Sequence, residues 1–376
     1  MKRFFIVAGE TSGDLHAARL MQQLRAIWPD CQFRGIGGPQ MQALGLQSLA
    51  QLEDINVVGF WEVAKRYPFF RRLLRRCRAE LEQGGCDAFI PVDYPGFNLR
   101  LAAAARKTGI PVLYYIAPQL WAWGAKRAEK LRAAVDLLMV VFPFEVDFFG
   151  RFGINARFVG HPLLDVPAFS EDEVDGERDD NCIALLPGSR KQEVEHNLPI
   201  MLEAARRLHS QMPQLRFVVA VAGGDSSVHA RLINAAAADV ELTFDSRALL
   251  RRAAAGIVKT GTSTLESALA RMPFVMMYRT SALSYRIARR LITLPFISLV
   301  NIIAGKQVVR ELIQDDAQPQ LLADEIQRLL RDTSARRTML REFDAVRAAL
   351  GDGGTAASQA AACIAEFLEQ QGSEHR

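Results

Sequence analysis

The chain has 376 residues, of which 49% are hydrophobic and 23% charged, and its net charge is +4. That length and composition suit two globular domains with sizeable cores, and they exclude a disordered or fibrous chain. So mild a charge does not by itself imply a nucleic-acid partner, and any basic function has to sit in a local patch.

The opening segment, Phe4–Ala8, reads as a buried strand and not as a signal peptide. It runs into Gly9-Glu10-Thr11-Ser12-Gly13-Asp14, with a helix from Leu15. Glycines permit close backbone approach, and a helix N-terminus offers N–H groups to an anion or a sugar hydroxyl. A plain turn capped by Ser12 or Asp14 is an equal reading. A second strand, Phe33–Ile36, ends in the glycine-rich turn Arg34-Gly35-Ile36-Gly37-Gly38-Pro39, and a third strand is expected at Asn56–Val58. Ala88–Val92 is the next strand, closing on Asp93-Tyr94-Pro95-Gly96-Phe97-Asn98. A carboxylate at the carboxyl end of a strand is placed as a general base would be. An Asp-initiated turn before Pro95 is the rival reading. Val112–Tyr115 leads to Ala117-Pro118-Gln119-Leu120-Trp121-Ala122-Trp123, where Trp121 and Trp123 suit a ligand wall or core packing. Leu137–Val141 and Ala156–Phe158 complete the first series, followed by Val159-Gly160-His161-Pro162.

From Glu171 to Asp180 there are seven acidic residues and one arginine, which reads as a solvated linker. The second series is Ile183–Leu186, Arg216–Val221, Leu242–Phe244, Ala255–Val258 and Phe274–Met277, with helical patterns between. Leu186-Pro187-Gly188-Ser189-Arg190 can hold a phosphate in its Gly188-Ser189 turn, with Arg190 as a forked cation. Lys259-Thr260-Gly261-Thr262-Ser263-Thr264-Leu265-Glu266 forms a second cradle, and Glu266 can accept hydrogen bonds from both hydroxyls of a ribose. A capped helix with a surface glutamate is the plainer alternative, but two cradles in one domain favour nucleotide binding. From Pro319 the chain reads as three helices, the last after Gly351-Asp352-Gly353-Gly354.

The expected fold is therefore α/β: two doubly wound parallel-sheet domains facing a central cleft. The expected boundaries are 1–170, a linker at 171–181, a nucleotide-binding domain at 182–345, and a C-terminal helix at 346–376 that packs back on the first domain. Cys31, Cys77, Cys86, Cys182 and Cys363 form no C-x-x-C pair, so neither a disulfide framework nor a structural zinc site is expected. The apolar stretch Leu291–Ala304 contains Pro295 and is too short to span a bilayer, so a cytoplasmic chain is expected.

From Lys65 to Arg78 there are seven basic residues and no acidic ones. At about 100° per residue, Phe69, Phe70, Leu73, Leu74 and Cys77 fall within roughly 140° of one another, and Arg71, Arg72, Arg75, Arg76 and Arg78 fall outside that arc. Together with the aromatics from Trp61 onward, this face suits an anionic membrane surface. A core helix with solvated arginines explains the apolar residues but not the massed like charge.

Taken in order, these segments resemble the lipid-A-disaccharide synthases, with the likeness spanning most of the chain. It rests on the stretches 8–14, 35–38, 93–98, 117–123, 159–162, 186–190 and 261–266. The resemblance implies a GT-B fold and an inverting glycosyl transfer with no metal or other cofactor. It implies UDP-2,3-diacylglucosamine as donor and 2,3-diacylglucosamine 1-phosphate as acceptor. It also implies a peripheral place on the inner face of the inner membrane of a Gram-negative cell. Asp93 then inherits the role of base, with His161 as the other candidate, because Gly96 stands where some relatives carry an acid. Arg190 and the Gly188–Ser189 and Gly261–Thr264 turns would bind the donor with Glu266, bordered by Asn301 and Gln307. Glu10, Ser12, Gly13, Trp121 and Trp123 would line the acceptor side. A homodimer is compatible with this reading. The rival functions are a UDP-N-acetylglucosamine 2-epimerase and a non-catalytic module that binds anionic membranes.

Overall fold

A computed structural model of the chain describes residues 1–55, 66–122, 124, 127–170, 176–222, 225–291, 294–351 and 355–374. The strand expected at Asn56–Val58 and the ring of Trp123 lie outside the described residues. The chain forms two compact units, Met1–Pro162 with Gly351–Arg376, and Leu163–Leu350.

The first unit runs β1 (Arg3–Ala8), α1 (Thr11–Ile27), β2 (Gln32–Ile36), α2 (Pro39–Ala43), β3 (Leu46–Ser48), α3 (Leu52–Ile55) and α4 (Tyr67–Glu82). It continues with β4 (Ala88–Val92), α5 (Pro95–Ala105), β5 (Leu113–Tyr115), α6 (Ala128–Ala134), β6 (Leu137–Val140), α7 (Phe144–Gly150) and β7 (Ala156–Phe158). Every pairing among these strands is parallel, in the order β3-β2-β1-β4-β5-β6-β7. β4 is buried along its whole length, as a central strand covered by helices on both faces should be. α1 turns Ala17, Leu20, Met21 and Leu24 inward, the spacing of one helical face.

The second unit contains β8 (Asp179–Leu186), α8 (Lys191–Gln211), β9 (Arg216–Ala220), α9 (Ser227–Ala235), β10 (Glu241–Thr243), α10 (Ser246–Arg252), β11 (Ala253–Lys259) and α11 (Thr262–Leu269). β12 (Phe274–Tyr278), α12 (Ala282–Leu291), α13 (Leu299–Ala304), β13 (Glu311–Ile313), α14 (Pro319–Arg331) and α15 (Thr333–Ala349) follow. Its sheet is also parallel, in the order β10-β9-β8-β11-β12-β13. The last helix, α16 (Ala356–Glu374), belongs to the first unit, where it packs on α1 and β6 and accepts a 2.5 Å hydrogen bond from Arg157 at Glu366.

Three boundaries differ from the sequence expectation. β8 begins at Asp179, so the strand claims residues expected in the linker, and Asp179 there is paired to Arg216 across the neighbouring strand. Residues 163–170 go with the second unit: Arg347 donates to the Phe169 carbonyl at 2.7 Å, and Arg247 lies over the Phe169 ring. Residues 346–350 stay there too, because α15 buries Phe343, Val346 and Leu350 and stacks Phe343 on Phe274. The strands β3 and β13 went unread in the sequence. Each is a three-residue edge strand, too short to show a period.

Candidate functional site

In a doubly wound sheet, ligands bind beyond the carboxyl ends of the strands, at the point where strand order reverses. In the first unit that point lies between β1 and β4, which pair Ala8 with Val92. The chain leaves β1 through Gly9 and Glu10, and leaves β4 through Asp93. The two most suggestive turns of the first unit are thus neighbours, although they are far apart in sequence.

Asp93 and Tyr94 both adopt left-handed backbone, with φ of 46° and 51°, and Ile116 beyond β5 does so with φ of 64°. For a β-branched residue such a conformation is strained, and strain of this kind collects at functional sites. The turn is held from beneath. Buried Asn98 donates to the Asp93 carbonyl at 2.7 Å and to the Val7 carbonyl at 3.3 Å, and the Tyr114 hydroxyl donates to the Asp93 carbonyl at 2.6 Å. Tyr94 packs so close to Gly9 that a Cβ there would meet the ring at 2.3 Å, which gives that glycine its reason. Burial, and then the nearby Glu10 carboxylate, push the Asp93 carboxyl up to about 6. An acid with that pKa is ionised at neutral pH and still basic enough to take a proton.

Ser12 and Glu10 are exposed at the same mouth, and Gly13 is buried. The cap expected of Ser12 or Asp14 on α1 does not form. Glu10 occupies the cap position without a side-chain bond, while the buried Asp14 accepts from the Gly38, Gln40 and Met41 N–H groups and so caps α2. The Gly37-Gly38 turn is therefore structural. Trp121 is buried, and its indole N–H donates at 2.8 Å to Glu145, which is itself wholly buried. It is a core residue and not a ligand wall. His161 packs against Phe142, with ring centroids 5.0 Å apart and the planes tilted by 41°. Burial, and then the neighbouring His16, bring its pKa down to about 3, which leaves it a weak base.

The switch point of the second unit lies between β8 and β11, which pair Leu186 with Val258. Beyond them stand the two expected phosphate turns, side by side. Gly188 and Gly261 have φ of 119° and 127°, a conformation open to glycine. One carboxylate joins the turns. Glu193 accepts from the Ser189 and Arg190 N–H groups at 3.2 and 3.4 Å, from the Arg190 guanidinium at 3.2 Å and from the Lys259 ammonium at 2.9 Å. Burial works to raise its pKa, but Lys259 and the backbone donors hold it below the ordinary value. Lys259 went unread because it looks like the last residue of a strand. Its side chain is only 14% exposed, whereas that of Arg190 is 72% exposed even while paired to Glu193.

Glu266 lies 3.7 Å from Arg247, and burial raises its carboxyl against that cation. Thr262 is exposed and Ser263 partly so at the start of α11, but the Thr264 hydroxyl is spent on the Gly261 carbonyl at 2.8 Å. Asn301 is likewise spent. Its amide donates to Val309 and Glu311 and accepts from the Val308 and Val309 N–H groups, so it braces a loop and does not reach outward. That loop borders the cradle through Ile297, whose carbonyl accepts from Thr260 at 3.0 Å, and Gln307 on it is exposed.

α4 buries Leu73, Cys77 and Leu81 and half-buries Phe69, Phe70 and Leu74. Arg71, Arg72 and Arg75 are exposed, and none of them makes a salt bridge among the described residues. Arg76 instead donates to the Leu49 carbonyl at 2.9 Å. Between α4 and the start of α5 lies a groove of about 690 Å³, floored by Phe70, Leu74, Tyr94 and Phe97 and rimmed by Arg71, Arg75, Arg78 and Arg100. It adjoins Asp93 through Tyr94.

The family described as lipid-A-disaccharide synthetase matches residues 4–366 of the chain. The lipid-A-disaccharide synthase of Anaeromyxobacter dehalogenans strain 2CP-1 is 41% identical, over 94% of each chain. Among solved structures, a putative UDP-N-acetylglucosamine 2-epimerase from Listeria monocytogenes is similar at a TM-score of 0.65 and 12% identity, covering 100% of this chain and 98% of its own. The calicheamicin glycosyltransferase CalG4 is similar at 0.59 and 16%, covering 98% of each chain. Likenesses of that order show the GT-B-like fold.

Proposed function

Because the chain belongs to the lipid-A-disaccharide synthetase family, whose members are glycosyltransferases of lipid A biosynthesis, we propose that it joins two acylated sugars. The donor is UDP-2,3-diacylglucosamine and the acceptor 2,3-diacylglucosamine 1-phosphate. The products are a β-1,6-linked tetra-acyl disaccharide 1-phosphate and UDP. The observation that supports this reading best is the chemistry at the two switch points: a carboxylate raised to about 6 at one, and at the other a glycine turn and Lys259 that hold the Glu193 carboxylate as they would a phosphate.

In the proposed step the Asp93 carboxylate takes the proton of the acceptor hydroxyl as that oxygen attacks the anomeric carbon. The bond from the anomeric carbon to the diphosphate oxygen breaks, and UDP leaves with the electron pair. Attack from the face opposite the leaving group inverts the anomeric centre. Arg190, Lys259 and the N–H groups of the Gly188–Arg190 and Gly261–Ser263 turns meet the charge that grows on the diphosphate. Glu193 holds Lys259, the Arg190 guanidinium and the Ser189 and Arg190 N–H groups in position until the diphosphate takes them. Glu266 accepts the ribose hydroxyls, with Arg247 keeping it ionised. The groove beside Asp93 receives the acceptor, with apolar residues under its acyl chains and Arg78 and Arg100 around its phosphate. Arg71, Arg72 and Arg75 bring the enzyme to the anionic inner face of the inner membrane.

Mass spectrometry of products from purified enzyme and the two substrates tests the reading. A tetra-acyl disaccharide 1-phosphate formed in step with UDP is expected. Release of UDP with an epimerised or hydrolysed sugar and no disaccharide would overturn it.

A further inference from the structure

A second groove, of about 950 Å³, runs between α5 and α6. Its floor is apolar and shallow-chained, built from Leu99, Ala103, Leu120, Ala133 and Ala134. Its rim carries Arg78, Arg100, Arg106, Lys107, Arg127 and Lys130, and no acidic residue lines it. Arg106 is already paired with Asp136. Arg100, Lys107 and Lys130 are exposed and make no salt bridge among the described residues. A volume of this size holds a small amphiphile, and unbalanced cations beside an apolar channel suit one that carries both an acyl chain and a phosphate.

The groove meets the acceptor groove at Arg78, Gly96 and Arg100, but it then leaves the reacting centre. It follows α5 along its 11 residues to Lys107 in the turn beyond the helix. At 1.5 Å per residue that is on the order of 16 Å from the Asp93 end. An acceptor carries its phosphate and its reacting hydroxyl on one sugar ring, so its headgroup has to stay beside Asp93. The cations at the far end of α5 therefore serve another molecule.

We infer that the α5–α6 groove binds an anionic membrane glycerophospholipid, one acyl chain lying over Ala103 and Ala133 and the phosphate on the Lys107 and Lys130 rim. This rests on the membrane-facing reading above and adds a bound bilayer lipid, separate from both substrates.

The test is calorimetric titration of the full chain with short-chain phosphatidylglycerol below its micelle concentration. Saturable binding at one lipid per chain is expected, with phosphatidylcholine of the same tails about tenfold weaker. Ala103→Trp, which fills the floor from an exposed position, and Lys107→Glu/Lys130→Glu, which reverses the rim, should each weaken binding by about tenfold or more. If the tryptophan variant fails to fold, the charge-reversed pair still decides. Arg71→Glu/Arg72→Glu/Arg75→Glu should lose docking to vesicles yet keep the short-chain lipid, so failure of the docking surface is read separately. Equal binding of phosphatidylcholine, or no loss in either groove variant, would overturn the inference. So would complete displacement by inorganic phosphate, which would mark a free-anion site, or by 2,3-diacylglucosamine 1-phosphate, which would make the groove part of the acceptor site.

Discussion

Asp93 is the residue on which the proposed chemistry turns, and its position has a structural cost. Two successive left-handed residues and a desolvated carboxylate stand at the end of β4, clamped by Asn98 and Tyr114. Asp93→Asn should lower turnover by ~10²-fold or more while UDP still binds in calorimetry. Near-normal turnover would move the base elsewhere. In the parent enzyme kcat/KM should fall as pH drops through about 6, because the working form is the carboxylate. With His161 as base the profile would stay flat there, since its pKa lies near 3. The same shift carries a stability consequence. The folded pKa lies above the ordinary value of 3.8, so the folded state binds the proton more tightly and the parent loses stability as pH rises from about 4 to about 6. Asparagine does not titrate. The melting temperature of Asp93→Asn should therefore gain on the parent over that range and hold its gain above it. The sequence named Asp93 from its place at a strand end. It could not show the strain, the Glu10 neighbour or the Asn98 clamp, since each depends on where β1 and β5 lie.

At the scale of elements, two glycine turns and the helices they open work as one device. Alone, the Glu193 bonds to Ser189 and Arg190 are a capping box on α8. Lys259 from β11 converts that cap into a joint between two loops. On the proposed mechanism Arg190 and Lys259 would meet charge that develops as the diphosphate departs, whereas Glu266 would contact a ribose that does not change during the reaction. Arg190→Ala should thus reduce turnover roughly 10²-fold, while Glu266→Gln should raise the donor KM about tenfold with turnover nearly kept. Steady-state kinetics with varied donor separates the two. A change confined to acceptor KM in Arg190→Ala would refute its diphosphate role. The sequence could name the glycines, Arg190 and Glu266 as candidates because turn chemistry is local. Asn301 and Trp121 misled for one shared reason. A polar or amphipathic side chain on a short irregular segment reads as outward-looking, yet both are buried and fully engaged with Glu311 or Glu145.

For the molecule as a whole, no described helix is long and apolar enough to cross a membrane, and the proposed function assigns docking at lipid-borne substrate to the arginines of α4. On that proposal Arg71, Arg72 and Arg75 on α4 would each contribute ~1 kcal/mol beside an anionic bilayer. Reversing all three to glutamate should abolish vesicle sedimentation and slow transfer on vesicle-borne substrate, with substantial activity kept in neutral detergent micelles. Unchanged, salt-insensitive sedimentation would point to another face. Arg76 is left out of that variant because it holds the Leu49 carbonyl, a tie the helical wheel did not reveal. By itself, the sequence determined the alternation of strand and helix, the parallel α/β class and the two series of strands, and it named the glycine turns, Asp93, Arg190 and Glu266 as candidates. These follow from periodicity and turn chemistry, which act over a few residues. Only the tertiary structure decided which turns share a switch point, where the units divide, and which polar side chains remain available to a ligand. Strand order joins segments as distant as Ala8 and Val92, or Leu186 and Val258. Burial then depends on every element packed around a residue, and no local pattern records it.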